Sequence, residues 1–185
     1  MRQLGTDQVA EQPLLLRGDL EQLLRNLADD VLALRRTPDE PLPWLVAYSP
    51  GGMAVASELA AILALDSGET PVIATLAVTR HAQLIDLDDD FSVLPTALPG
   101  PMAGAHVLLL SDVLGSGWLA HAAVGALLDW GMPARLHLGA LIDSGRRQVP
   151  VELAALGNRH QPLAGQRVEL VCDARGHLAH AIEVP

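Results

Sequence analysis

The sequence predicts an α/β fold, a mostly parallel sheet flanked by helices, on two observations. Stretches with helical spacing alternate with short strand-like runs along the chain. Near the middle stands the continuous apolar run Val107-Leu108-Leu109-Leu110, followed by Ser111-Asp112-Val113-Leu114 and the small residues Gly115-Ser116-Gly117. Such a run reads as a buried strand ending at Asp112, a turn, and a helix starting near Trp118.

The elements follow in order. Leu20, Leu23, Leu24, Leu27, Val31 and Leu34 recur at helical spacing, with Asp19 as the cap and Thr37-Pro38-Asp39-Glu40-Pro41 as the stop. Trp44 to Tyr48 reads as a strand, Ser49-Pro50-Gly51-Gly52 as a tight loop, and Met53 to Leu65 as a helix. Val72 to Val78 is the next strand. Residues 81–104 lack periodicity and carry Asp86, Asp88, Asp89, Asp90 and several prolines, so they read as a long excursion. Strands are expected at 106–111, 136–142 and 168–172, and a helix at 118–130. No internal repeat and no low-complexity linker divides the chain, so residues 1–185 read as one domain.

Composition narrows the function classes. At 185 residues and 50% hydrophobic the chain can bury a sizeable core. The formal net charge is -10, and all 12 cationic residues are arginine. That acidity disfavours tight nonspecific binding to nucleic acid, which depends on neutralising phosphates. Cys172 is alone, which excludes a disulfide framework and a cysteine metal site. The first residues lack a signal-peptide apolar stretch, and no apolar run is long enough to span a membrane. A soluble cytoplasmic protein is expected.

The junction at 107–118 is the principal candidate site. Small residues let backbone approach a ligand closely, and a helix start behind them offers N–H groups and a positive dipole end to an anion. Ser116 reads as the N-cap. One acid at the strand end, Asp112, can hold sugar hydroxyls. The layout suits a phosphorylated sugar, although similar junctions also occur without a ligand. The acids Asp86 to Asp90 are either Mg²⁺ ligands or a solvated run, and the solvated run is the usual outcome. The seven histidines show no metal-ligand spacing, so no protein-held metal is expected.

Leu138 to Val151, following Ala122 to Arg135, carries a second pattern: Leu141-Ile142-Asp143-Ser144-Gly145-Arg146-Arg147-Gln148-Val149-Pro150-Val151. Together with the 107–119 segment it resembles the type I phosphoribosyltransferases, and within them the PyrR group. These are regulators of pyrimidine operons that also act as uracil phosphoribosyltransferases. The resemblance spans residues 19–184 and is closest over 107–151. It implies a parallel core sheet with a small hood built from chain-terminal segments. It also implies phosphoribosyl pyrophosphate or a pyrimidine nucleotide as ligand, Mg²⁺ carried in on that substrate, a homo-oligomer, and RNA as a possible partner. On this resemblance Ser111, Asp112, Val113, Gly115, Ser116 and Gly117 bind the sugar phosphate. Ser49, Pro50, Gly51 and Gly52 take the pyrophosphate, and Leu156, Gly157, Asn158, Arg159 and His160 read the base. Arg80 and Arg147 assist Asp112 as cations. Read alone, the 49–52 segment is equally a plain turn, Arg80 a solvated arginine, and 156–160 a surface loop.

The departures from the family pattern matter as much. Ser111 replaces the first of two acids, Trp118 replaces an arginine, and Leu119 replaces a hydroxyl residue. His81 and Ala82 stand where two acids follow the family arginine. A hydrogen bond to a charged group is worth roughly 1.5–3 kcal/mol, so two lost contacts would weaken sugar-phosphate binding on the order of 10² to 10⁴. Weak or lost catalysis is therefore expected. The alternatives are an RNA-binding regulator, if Arg25, Arg35, Arg36, Arg135, Arg146 and Arg147 share one face, and an inactive scaffold that uses Trp118 and Trp130 at an interface.

Overall fold

The structure is a computed structural model that describes residues 13–78 and 95–185. Five parallel strands form one sheet in the order β2-β1-β3-β4-β5. They are β1 (Trp44–Ala47), β2 (Ile73–Thr75), β3 (His106–Leu114), β4 (Arg135–Asp143) and β5 (Ala155–Arg159). Helices α1 (Arg17–Ala33) and α2 (Pro50–Ser67) cover one face, and α3 (Trp118–Leu128) covers the other. β6 (Arg167–Cys172) and β7 (Leu178–Val184) make a separate antiparallel pair, joined by a bridge from Leu15 to Ala181. This is the expected small hood of chain-terminal segments.

The apolar run of β3 is continuous because it is central and covered on both faces. Leu108 and Leu110 pack with α1 and α2, whereas Val107 and Leu109 pack with α3. β3 pairs with β1 from Val107 to Leu110 and with β4 along most of its length. It also runs past Asp112, because Val113 and Leu114 pair with Ile142 and Asp143.

Several boundaries differ from expectation, each for a local reason. α1 starts at Arg17, and Asp19 lies inside its first turn, where its Oδ2 accepts from the Leu16 N–H at 2.9 Å. Pro50, Gly51 and Gly52 are the first turn of α2 rather than a loop. Ser49 is the N-cap, and proline's fixed φ suits the first helical position. α2 ends at Gly68, whose φ of 73° is the left-handed conformation that favours glycine. The strand expected at 72–78 shortens to Ile73–Thr75, although Leu76 and Val78 remain buried. α3 stops at Leu128. β5 and β7 were not expected. Of the excursion at 81–104, Ala97 bridges back to Thr75, while residues 81–94, with Asp86 to Asp90, lie outside the described residues. Among the described residues no helix is long and apolar enough to cross a membrane.

Candidate functional site

In this strand order the chain goes from β1 outward to β2, then returns to β3 and proceeds to β4 and β5 on the other side. The direction reverses between β1 and β3, and ligands of open parallel sheets bind outside the carboxyl ends of strands at such a point. β1 leads into Ser49, and β3 carries Asp112. Their side chains meet: Ser49 Oγ donates to Asp112 Oδ1 at 2.8 Å and accepts from the Gly52 N–H at 3.0 Å. Close approach of α2 to β3 makes this contact possible. A Cβ on Gly52 would lie 2.7 Å from the Leu110 carbonyl oxygen and 3.1 Å from Ser111 Cα, so the backbone itself excludes a side chain.

Asp112 sits in a strained electrostatic setting. Burial pushes its carboxyl above the ordinary range, the Ser49 hydroxyl and the backbone N–H groups of Val113 and Asp112 pull it back, and Glu169 on β6 pushes it up again. Beneath it, burial pushes the Tyr48 phenol up to about 12, with Ser111 as its polar neighbour. Ser111 is buried, so the position that the resemblance gives to a first acid faces the interior.

Beyond Leu114 the chain turns through Gly115 and Ser116 to Gly117. Gly117, at φ 88°, is the residue that caps α3. The expected cap, Ser116, sits one position earlier, and its Oγ accepts from the Trp118 N–H at a long 3.4 Å. The segment after β4 lies across this turn. The Gln148 N–H donates to the Ser116 carbonyl at 2.8 Å, the Trp118 indole Nε1–H donates to Gln148 Oε1 at 3.1 Å, and His121 Nε2 donates to the Pro150 carbonyl at 3.1 Å. A Cβ on Gly117 would meet Val151 Cγ2 at 2.9 Å, which, with its φ, makes this a glycine position twice over. Trp118 thus acts as a clasp between turn and segment.

A cavity of about 360 Å³ opens between the turn and the hood, lined among others by Gly115, Ser116, Arg146, Gln148 and Arg167. Arg146 ties the cavity to the hood's approach, donating to the carbonyls of Pro162, Leu163 and Gln166. Arg147 donates to Asp143 Oδ2 at 2.9 Å, and Arg159 Nε lies 3.6 Å from the same oxygen. Asp143 is buried, and its Oδ1 accepts from the Gly145 N–H at 3.0 Å. Asp143 organises two of the arginines that the sequence reading had treated separately. Its signal in the sequence was its place at the end of a buried strand, as for Asp112. Arg80 and its neighbour His81 lie outside the described residues.

Leu156 to Arg159 belong to β5 and are not a loop. The Leu156 N–H donates to Asp30 Oδ2 at 3.0 Å, and the Gly157 carbonyl accepts from Asn26 Nδ2 at 3.1 Å, so these two backbone groups are used by α1. Asn158, Arg159 and His160 stand at the carboxyl end of β5, where His160 Nε2 meets Glu183 Oε1 of β7 at 2.5 Å. Of the arginines named for an RNA face, two groups lie at opposite ends of one strand. Arg135 opens β4, while Arg146 and Arg147 follow its far end, a separation of roughly 25 Å at strand rise.

The comparisons with known proteins agree with this geometry. No family model matches the chain. A bifunctional protein PyrR of Pseudomonas entomophila is 32% identical over 155 residues, covering 80% of this chain and 84% of that protein. The corresponding protein of Pseudomonas putida strain W619 is 34% identical over 155 residues, with coverage of 80% and 84%. That of Corynebacterium diphtheriae is 29% identical over 161 residues, with coverage of 85% and 84%. Among solved structures, a hypoxanthine-guanine phosphoribosyltransferase of Bacillus anthracis superposes with a TM-score of 0.63 at 16% identity, covering 93% of this chain and 98% of that one. The Leishmania tarentolae enzyme in complex with GMP gives 0.61 at 18% identity, covering 85% and 84%. At these identities the likeness is one of fold.

Proposed function

Because this chain belongs to the PyrR family of phosphoribosyltransferase-fold proteins, we propose that it binds phosphoribosyl pyrophosphate or a pyrimidine nucleotide in the crevice above Ser49 and Asp112. The observation that carries this reading is the Ser49–Asp112 hydrogen bond across the point where strand order reverses, with the start of α3 beside it. Asp112 holds the ribose hydroxyls after exchanging its bond to Ser49 for one to the ligand. Gly115, Ser116 and Gly117 present the first turn of α3 to the 5′-phosphate. Ser49 to Gly52, as the capped start of α2, faces the pyrophosphate. Asn158, Arg159 and His160 are the part of the 156–160 segment left to meet a base.

Mg²⁺ bound together with phosphoribosyl pyrophosphate would supply neutralisation of charge on the departing pyrophosphate. Asp112 suits this arrangement, because a Mg²⁺ that keeps water and phosphate oxygens in its shell needs few protein carboxylates. The chain's own contribution to transfer of phosphoribose to uracil is positioning and charge stabilisation.

We place uracil phosphoribosyltransferase activity at least about two orders of magnitude below that of a family member with the full motif, since each lost contact at Ser111, Trp118 and Leu119 is worth a kcal/mol or more. The test is uracil-dependent pyrophosphate release by the wild type, by the triple variant Ser111→Asp, Trp118→Arg, Leu119→Thr, and by Asp112→Ala. The triple variant is expected to gain affinity for phosphoribosyl pyrophosphate, and Asp112→Ala to lose what remains. A wild-type rate equal to that of a full-motif relative would overturn the weak-activity reading. An absence of stabilisation by phosphoribosyl pyrophosphate, by pyrimidine nucleotides and by millimolar phosphate would overturn the site.

A further inference from the structure

The cavity of about 360 Å³ between the turn after β3 and the hood differs in charge from the chain that surrounds it. Val113, Gly115, Ser116, Arg146, Gln148 and Arg167 are among the residues that line it, and of the whole lining two residues are arginine and none is acidic. The chain carries 22 acids against 12 arginines, so this local reversal favours an anion.

Arg146 is the cation of that wall without a counter-charge. Around the carboxyl ends of β4 and β5, Arg147 and Arg159 share the Asp143 carboxylate, and Arg167 pairs with Glu169 at 2.8 Å on the surface. Arg146 pairs with no carboxylate among the described residues. Its Nη1 donates to the Gln166 carbonyl, and its Nη2 to the carbonyls of Leu163 and, at 2.9 Å, Pro162. Neutral carbonyls orient a guanidinium and leave its charge in place. Those bonds use only part of the fork of N–H donors, so others stay free for a ligand. The side chain is half-buried and already held, and a cation fixed before its ligand arrives loses less entropy on binding than a free surface arginine.

Trp118 stands where the family pattern has an arginine, and its indole Nε1–H is committed to Gln148 Oε1 at 3.1 Å. Gln148 lines the same cavity as Arg146. We propose that Arg146 makes the phosphate contact that Trp118 lacks, holding the 5′-phosphate of a pyrimidine nucleotide against Gly115 and Ser116. This assignment rests on the reading of the crevice as a nucleotide site. Guanidinium and phosphate form charge-assisted hydrogen bonds of matched geometry, and the lining has no carboxylate to oppose a dianion. Arg167, exposed and paired with Glu169, contributes less.

The test compares uridine 5′-monophosphate with uridine, which lacks only the phosphate, by titration calorimetry on the full chain. The wild type is expected to bind the nucleotide at least about tenfold more tightly than the nucleoside, and Arg146→Gln to reduce that ratio about tenfold. Arg146→Lys keeps the charge without the fork and should restore part of the ratio. Arg167→Gln should lower it less than Arg146→Gln does. In the wild type, the NMR signal of the Arg146 Nε–H, identified by its absence from Arg146→Lys, should move with nucleotide and stay in place with uridine. That readout stands even if Arg146→Gln does not fold. A purely structural role would weaken nucleotide and nucleoside equally, and an unchanged ratio in Arg146→Gln would overturn the proposal. An unmoved Arg146 signal at saturating nucleotide would do the same. If the wild type binds neither compound at millimolar concentration, the nucleotide reading of the crevice falls, and this assignment with it.

Discussion

Asp112 lies so close over Gly51 that a methyl group on Gly51 would stand 1.9 Å from its Oδ2 and 2.4 Å from its Cγ. The contact joins the first turn of α2 to the end of β3, so the acid and the glycine form one unit. Gly51→Ala is expected to force Asp112 away and to cost about 1–3 kcal/mol, as overpacking does, measured by urea unfolding. In an Asp112→Ala background the same substitution should cost much less, because the obstructing atoms beyond Cβ are gone. Additive losses would show that the clash is relieved elsewhere.

The raised carboxyl of Asp112 gives a pH dependence of known sign. Its folded value lies above its unfolded value, so just above the ordinary carboxylate range the folded state holds a proton that the unfolded chain has released. Stability from this group therefore falls as pH rises through that window and stays reduced at neutral pH. Asp112→Asn keeps a polar partner for Ser49 and removes the charge. It is expected to be more stable than wild type at about pH 7, with the gap closing toward about pH 4. A gap that widens on acidification would contradict the assignment.

Asp143 is 1% exposed and depends on Arg147 for its nearest cation. Arg147→Ala is expected to cost about 3 kcal/mol by leaving a buried carboxylate short of its partner, and Arg147→Met with Asp143→Asn should recover most of it. Denaturation of the wild type and these two variants checks this. If Arg147→Ala unfolds like wild type but loses ligand affinity, Arg147 serves the ligand directly.

Residues carrying two-sided burial were the legible ones. Val107 to Leu110 could be read as a central strand because every residue is apolar, and the helix behind Gly117 followed from the small residues before it. β5 could not be read, since Gly157, Asn158 and Arg159 lack strand character and the segment is held by β4 and by Asp30 and Asn26 of α1. β7 hides His180 and Glu183 among its apolar residues because one side of a two-stranded hood stays open. The Ser49–Asp112 contact joins residues 63 positions apart, and it exists only once β1 and β3 lie side by side. Local pattern has no access to such a distance. The same limit applied to the contact of Asp143 with Arg159, which depends on β4 and β5 becoming neighbours, whereas its pair with Arg147 spans only four positions.

The central place of β3 also sets an order of events during synthesis. β1 has four residues and β2 three, and a pair that short has little stability by itself. The nascent chain has therefore emitted two helices with apolar faces and two strands before the strand that unites them leaves the ribosome. Leu45, Leu59 and Leu63 stay open to solvent and to neighbouring chains over that interval. Once His106 to Leu114 emerges, β1 gains its second neighbour, and collapse onto both sheet faces proceeds together. The longest-exposed intermediate is the stretch before β3, and a chaperone that binds apolar helices would find its target there.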